Sequence, residues 1–207
     1  GDVYKRQVPL RRDRMQWIEE ITVDSIRHFA WGIGDNNPLW LDRKYASQSV
    51  HGVLVAPPCI LYAVDGTVVA PKLPGVQWIY AGTSWTWFEP ILLNDKFNVE
   101  ARLKKQEVKS GRRFSKWVLQ TGEINYFNQH GRMTGKAIAR CARTPRGEAL
   151  KKEKQSKPFK PSATHSYSNK EIEEIENQVL QEPRRGSEPF FWGDVSIGEM
   201  VPQVVRC

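Results

Sequence analysis

The feature that most constrains the fold is the stretch from Val76 to Thr144, where apolar and polar residues alternate with the two-residue period of half-buried strands. The alternation is clearest where single polar residues separate four apolar ones, namely Phe97, Val99, Ala101 and Leu103. Trp85 and Trp87 alternate in the same way before Pro90. Turn-forming residues at 109–111 and 128–131 divide the stretch. It therefore predicts an antiparallel sheet.

Two helices are predicted ahead of this sheet. Thr22 can cap the first, whose apolar stripe contains Ile26, Phe29, Ala30 and Ile33. Pro57 and Pro58 suit the first turn of a second helix running to about Val69, and its residues are apolar on almost every side. A helix of that kind must be buried. The order of elements predicts an α+β fold, with a sheet wrapped around a central buried helix.

Two clusters of residues connect these helices. The first reads Gly34-Asp35-Asn36-Asn37-Pro38-Leu39-Trp40, and the second spans 51–58 with the sequence HGVLVAPP. Together they resemble the MaoC-like hydratase/dehydratase family, whose hot-dog domains add water to, or remove it from, acyl thioesters. The family motif is Gly-Asp-x-Asn-Pro-x-His. Here Trp40 occupies the histidine position, and an indole cannot serve as a general base because it has no titrating group near neutral pH.

The resemblance implies a hot-dog fold and a set of site residues. In the family, the Asp and His hold and deprotonate a water, the Asn positions that pair, and backbone N–H groups at the central helix bind the thioester oxygen. Asp35 and Asn37 match the catalytic positions. The substrate-binding positions would be Trp40, His51, Gly52, Ala56, Cys59 and Ile60. Because proline has no N–H, the thioester donor must come from Ala56, Cys59 or Ile60.

Each of these residues also has an ordinary structural interpretation. Asp35 can bond its own backbone in a helix-ending turn, and His51 can be a surface residue of a turn. Cys59, at a helix N-terminus, can have a lowered pKa or can be a small buried residue. Trp40 is interpreted as packing that fills the space of the missing histidine. Among the other histidines, His28 is expected to be exposed, His130 at a hairpin tip and His165 in a linker.

The broken motif leads to three hypotheses about function. In the first, the chain is the N-terminal, substrate-binding and non-catalytic half of an enoyl-CoA or 3-hydroxyacyl-CoA hydratase/dehydratase, a hydro-lyase when complete. In the second, it is a non-enzymatic hot-dog subunit that pairs with a separate catalytic chain. A hot-dog thioesterase using Asp35 is the third. The expected partners are an acyl-CoA or acyl-carrier thioester and a second hot-dog domain in cis or in trans, in a homo-oligomer. No metal or cofactor is expected.

Composition limits the other classes of protein to which the chain could belong. Hydrophobic residues make up 40% of the 207 residues, which favours a packed globule. The net charge of +8 is spread along the chain without a nucleic-acid-binding signature. The three cysteines form no C-x-x-C pair, so neither a zinc site nor a disulfide framework is indicated. No apolar run is long enough to span a bilayer, and no secretory signal is recognised. A cytoplasmic location is expected.

Composition also divides the chain into segments. Residues 1–14 are interpreted as a leader, the first seven of which resemble translated adaptor sequence. Residues 15–144 form the hot-dog domain, and 145–189 a basic linker with a helix at about 169–182, begun by a capping box of Ser168 and Glu171. Residues 190–207 resemble the opening of a second hot-dog domain, cut off at its first strand.

Overall fold

The computed structural model describes residues 16–67, 75–111, 115–146, 165–182, 186 and 191–200. The α-helices are α1 (Val23–Gly32), α2 (Pro38–Leu41), α3 (Arg43–Gln48), α4 (Leu61–Val64) and α5 (Asn169–Leu180). The strands are β1 (Val55–Ala56), β2 (Val76–Trp87), β3 (Ile91–Leu92), β4 (Asn98–Lys109), β5 (Trp117–Phe127) and β6 (Met133–Pro145). Short 3₁₀ turns lie at Pro58–Ile60 and Trp192–Asp194.

The long strands form one antiparallel sheet in the order β2-β6-β5-β4, as the alternating pattern predicts. Its inner face carries the alternate apolar residues of β4, β5 and β6, which pack against the helices; these include Val99, Ala101, Ile124, Tyr126 and Ala137. The outer face carries the intervening, largely charged residues. A separate two-stranded ladder of β1 and β3 was not predicted, since each strand has only two residues.

The first helix is confirmed in its bounds and its cap. Thr22 and Ser25 form a reciprocal capping box at the start of α1, and Ile26 and Ala30 are buried against the core. After α1, the short helices α2 and α3 begin at Asn37 and Asp42, whose side-chain oxygens accept backbone N–H groups. The Gly34–Trp40 motif thus connects α1 to α3, and its helix α2 packs against α1 and β1.

The predicted length of the central helix is wrong. It consists of the Pro58–Ile60 turn and the single turn α4, and Asp65 is already extended, with φ of −151°. The buried Tyr126 donates its hydroxyl to the Asp65 carbonyl at 2.9 Å, which holds the chain in this extended course. The expectation that Ile60, Leu61 and Val64 are buried is confirmed. Residues 68–74 lie outside the described part of the chain.

Close approach of α4 to the sheet depends on Gly135 of β6. A Cβ atom there would lie 2.5 Å from the Leu61 side chain, too close for any other residue without displacement. The single helical turn therefore rests directly on the sheet, and Ile124 and Ala137 complete the apolar contact beneath it.

The C-terminal part of the chain is only partly described. The predicted capping box of Ser168 and Glu171 is present at the start of α5, but none of the residues of α5 is buried. The expected strand after residue 190 is not found within residues 191–200, which form a 3₁₀ turn and bends. Outside the described residues lie the leader 1–14, parts of the linker 145–189 (147–164, 183–185 and 187–190) and residues 201–207. The predicted division of the chain into segments remains a prediction.

Candidate functional site

The Gly34–Trp40 motif forms a tight turn after α1. Gly34 has a positive φ of 67°, which glycine adopts without steric cost. The N–H of Asp35 then donates to the Ala30 carbonyl at 2.9 Å, so the turn is bonded to the last part of α1. The sequence places the aspartate directly where the chain reverses.

Both carboxylate oxygens of Asp35 are occupied within the motif. Oδ1 accepts the backbone N–H of Asn37 at 3.0 Å, and Oδ2 accepts the indole N–H of Trp40 at 2.9 Å. The Asn37 side-chain oxygen accepts the N–H of Leu39 at 2.9 Å and so caps α2. The residues that match the catalytic pair of the family are thus used to hold the turn, with Trp40 as a donor to the aspartate.

The start of the central helix lies beside this motif. The Cys59 thiol is partly buried, and burial raises its pKa above the usual value; the negative charge of nearby Asp35 raises the pKa further. The thiol therefore remains protonated near neutral pH, which argues against the lowered pKa that a nucleophile would need. The structure thus places two predicted site residues, Asp35 and Cys59, close enough for the charge of Asp35 to act on the Cys59 thiol.

Some of the backbone N–H groups expected to bind the thioester are already hydrogen-bonded within the chain. The N–H of Ile60 already donates to the Pro57 carbonyl at 2.9 Å. Pro57 and Pro58 have no N–H. The N–H of Ala56 is used in the β1–β3 ladder, where Ala56 pairs with Ile91. Of the three expected donors, Cys59 therefore remains for a thioester oxygen.

His51 and Gly52 form a separate turn before β1. The N–H of His51 donates to the Ser49 hydroxyl at 3.2 Å, and Gly52 has a positive φ of 68°. Among the described residues, the His51 ring makes no hydrogen bond to Asp35. The His51 side chain is half-buried. Its role in substrate binding remains a prediction.

An aromatic strip along the inner face of β2 was not predicted as part of the site. Its members are Trp78, Tyr80, Trp85 and Trp87. Trp87 donates its indole N–H to the Pro58 carbonyl at 3.0 Å and stacks on Trp85 with ring centroids 5.8 Å apart. Tyr62 of α4 meets Trp85 edge-on at 4.9 Å. The sequence signal that could have revealed this strip is the series of aromatic residues at alternate positions of one strand.

Other features of the described residues do not add to this site. An open cleft of about 450 Å³ is lined by residues of β4 and the β5–β6 turn, and it shares no residue with the motif or with the Pro58–Ile60 turn. Within the ranges that the structure covers, no group of histidine, cysteine, aspartate and glutamate side chains could hold a metal ion. No helix in those ranges has both the length and the apolar character needed to cross a membrane.

Solved structures with the same arrangement indicate the fold. The ChsH1-ChsH2 complex from Mycobacterium tuberculosis matches 68% of this chain and 92% of its own, with 16% identity and a TM-score of 0.55. The C-terminally truncated HadBC (3R-hydroxyacyl-ACP dehydratase) complex from the same organism matches 63% and 98%, with 12% identity and a TM-score of 0.50. A MaoC-like dehydratase matches 79% of this chain and 53% of its own, with 14% identity and a TM-score of 0.50.

A family model described as "FAS1-like, dehydratase domain region" matches residues 12–135, which is more than half of the chain. The chain belongs to the FAS1-like dehydratase region family, and its fold is that of a MaoC-like hot-dog dehydratase. The family resemblance and the α+β hot-dog fold predicted from the sequence are both confirmed. A comparison with curated protein sequences finds no match. Within this MaoC-like domain, the departure at Trp40 is the feature that bears most directly on activity.

Proposed function

We propose that this chain is the substrate-binding, non-catalytic half of an acyl-thioester hydratase/dehydratase acting on coenzyme A esters. The observation that carries the proposal is the pair of hydrogen bonds that occupy both oxygens of Asp35. A hydratase must hold a water and remove its proton. Trp40 fills the histidine position and donates to the aspartate, so the motif contains no histidine to take that proton.

The thioester would bind at the Pro58–Ile60 turn. The N–H of Cys59 is a polar donor there, and the stacked rings of Trp85 and Trp87 supply an apolar surface beside it. Small-molecule sites commonly combine a largely apolar wall with a few placed donors. This half would therefore bind the acyl group, and a second hot-dog domain would supply the base.

The edge of the sheet that receives the second domain would be β2. Of the two edge strands, β4 carries several charged side chains, namely Glu100, Arg102, Lys104, Lys105, Glu107 and Lys109, which protect an edge from pairing. Strand β2 has twelve residues and no charged side chain. It exposes aromatic side chains, including 41% of Trp78 and 48% of Tyr80. An uncharged, aromatic edge favours strand addition.

A first experiment uses the chain as it stands. Isothermal titration calorimetry should detect binding of a saturated acyl-CoA, and an absorbance assay with an enoyl-CoA should detect no hydration. Hydration by the chain alone at a rate typical of enzymes would contradict the proposal. Absence of thioester binding would contradict it as well.

A second experiment uses the complete enzyme, with the catalytic domain in cis or in trans. Asp35→Asn should change turnover by no more than a few-fold, and the matched control Asp42→Asn, also a capping aspartate, should behave in the same way. A loss of about a thousandfold, the scale for an essential catalytic group, confined to Asp35→Asn would show that this half takes part in the chemistry.

The alternative is a non-enzymatic subunit whose catalytic partner is a separate chain. It is favoured by the two similar structures named as two-component complexes, ChsH1-ChsH2 and HadBC. Size-exclusion chromatography with a candidate catalytic chain would test it, since a joint peak at micromolar concentration supports a partner in trans. Two separate peaks would count against it. A thioesterase has less support because the carboxylate of Asp35 is already bonded at both oxygens.

A further inference from the structure

Hydroxyl groups gather on the inner face of the sheet just beyond the proposed thioester site. The phenol oxygens of Tyr62, on α4, and Tyr80, on β2, are 3.0 Å apart. The hydroxyl of Thr83 lies 3.4 Å from that of Thr67. Tyr62 is half-buried and Tyr80 is 48% exposed, so a ligand can reach the pair.

The bond between the two phenols leaves one hydroxyl donor over. Burial raises the pKa of Tyr62, but hydrogen bonds from Thr83, Tyr80 and Trp85 outweigh it, so that pKa lies below its ordinary value. The hydrogen bond of Thr83 lowers the pKa of Tyr80, but the bond to Tyr62 and burial raise it above its ordinary value. Either phenol can donate to the other, and their bond uses only one of the two phenol protons. The second proton is then available to another oxygen.

An aromatic surface leads to the same place. The Trp85 ring meets Tyr62 edge-on at 4.9 Å and stacks on Trp87 at 5.8 Å. The Trp85 side chain also acts as a hydrogen-bond donor that lowers the pKa of the Tyr62 phenol. Since Trp87 is bonded to the Pro58 carbonyl, the aromatic strip runs continuously from the thioester site to the phenols.

We propose that Tyr62, Tyr80 and Thr83 form a subsite for an oxygen substituent on the acyl chain, so that this domain prefers hydroxylated or keto acyl thioesters over plain alkyl ones. The inference rests on the proposed function, because it takes the acyl group to run along the aromatic strip. Tyr62 lies three residues after Cys59, roughly one helical turn or about 5 Å along the chain axis. The oxygen would therefore lie several carbons beyond the thioester.

The preference arises from whether the polar groups of the subsite keep hydrogen-bond partners when the thioester is bound. A plain alkyl chain over the strip would remove water from the phenols without replacing their hydrogen bonds. A site built to bond a substrate hydroxyl discriminates strongly against the analogue that lacks it. Pairing of β2 with a second domain uses backbone groups of the strand, and so leaves these inner-face side chains available.

The test compares acyl-CoA thioesters of equal chain length, one plain and the others with a hydroxyl moved carbon by carbon along the chain. Calorimetric titration of the full chain should give a Kd about tenfold lower for the best hydroxylated thioester than for the plain one, as expected for one added hydrogen bond. Tyr62→Phe, and separately Thr83→Val, should reduce that ratio to about one. The control Tyr167→Phe removes an exposed phenol elsewhere and should leave the ratio unchanged.

The outcomes separate the two proposals. If plain and hydroxylated thioesters bind the unaltered chain equally well, the subsite is overturned and the proposed function stands. If the preference persists in both Tyr62→Phe and Thr83→Val, the subsite is also overturned, because the preference then arises elsewhere. If no thioester binds, the proposed function fails and this inference fails with it.

Discussion

Trp40 and Asp35 form the contact in which this domain departs from the family motif. The indole N–H gives Asp35 a neutral, fixed donor where the family motif has a histidine able to exchange protons. A carboxylate held by two donors keeps one orientation. The bond from Trp40 therefore stabilises the turn.

Replacing Trp40 by phenylalanine tests this stabilising role. The variant keeps an aromatic ring but leaves one oxygen of Asp35 half-buried without its donor, so the free energy of unfolding should fall by about 1 kcal/mol. Urea denaturation measures the change. Trp31→Phe is the control, since Trp31 is 59% exposed and lies outside the motif. Equal effects of the two variants would contradict a specific role for the Trp40 N–H.

Glu123 on the outer face gives a prediction about pH. Its side chain is 5% exposed and lies 2.6 Å from Arg102 and 2.9 Å from Lys136. Burial alone would raise its pKa, but the bonds to Lys136 and Arg102 lower it from 4.5 to about 2. Because the folded pKa lies below the unfolded one, this stabilisation is present above about pH 5 and is lost as pH falls toward 2.

The measurement is the difference in unfolding free energy between the original chain and Glu123→Gln. That difference should be about 2 kcal/mol near neutral pH and should shrink as the pH falls from 5 to 2. Glu107→Gln, whose carboxylate is bonded to two lysines in a more exposed position, should show a smaller effect. A difference for Glu123→Gln that does not change with pH would contradict the assignment.

At the scale of elements, the two capped helices should respond differently to loss of the same kind of cap. Thr22 caps α1, which buries Ile26 and Ala30 in the core, whereas Ser168 caps α5, which buries nothing. Thr22→Ala should lower the free energy of unfolding by about 1 kcal/mol, and Ser168→Ala should leave it unchanged. Chemical denaturation with both variants measures this.

Hydrogen exchange provides the matching check. A helix of twelve residues with no buried side chain is marginal in water, so the amides of α5 should exchange within the shortest labelling times, while those of β5 stay protected. Protection of α5 equal to that of β5 would mean that the helix is held by a partner, and Ser168→Ala should then be destabilising as well.

At the scale of the whole molecule, the two edges of the sheet predict how it associates. Ile79→Lys places a charge near the middle of β2, on a side chain that is 37% exposed and points outward. It should weaken association through β2 by about tenfold or more, because a lysine on an edge strand opposes pairing. Val108→Lys on β4 is the control and should have little effect. Analytical ultracentrifugation over a range of concentrations measures both; equal effects would show that β2 is not the pairing edge.

Several parts of this description could be predicted because they depend on neighbours in the chain. Caps such as Thr22 and Ser168 act within three residues, and strand alternation is visible over a few positions. The central helix was predicted too long because apolar content alone does not mark its end. Asp65 is extended through a bond from Tyr126, sixty-one residues later. The cluster of hydroxyl groups formed by Tyr62, Tyr80 and Thr83 was not predicted for the same reason, since α4 and β2 meet only in the folded chain.

The sequence by itself determined the α+β order of elements, the family motif and the absence of its histidine, because residue identity and short-range spacing decide these. Only the tertiary structure decided that the indole N–H of Trp40 reaches Asp35, that Asp35 acts on Cys59, and that β2 is the uncharged edge. The physical reason is distance. Hydrogen bonds and charge interactions act over a few ångströms, and which groups come that close is fixed by packing of the whole chain.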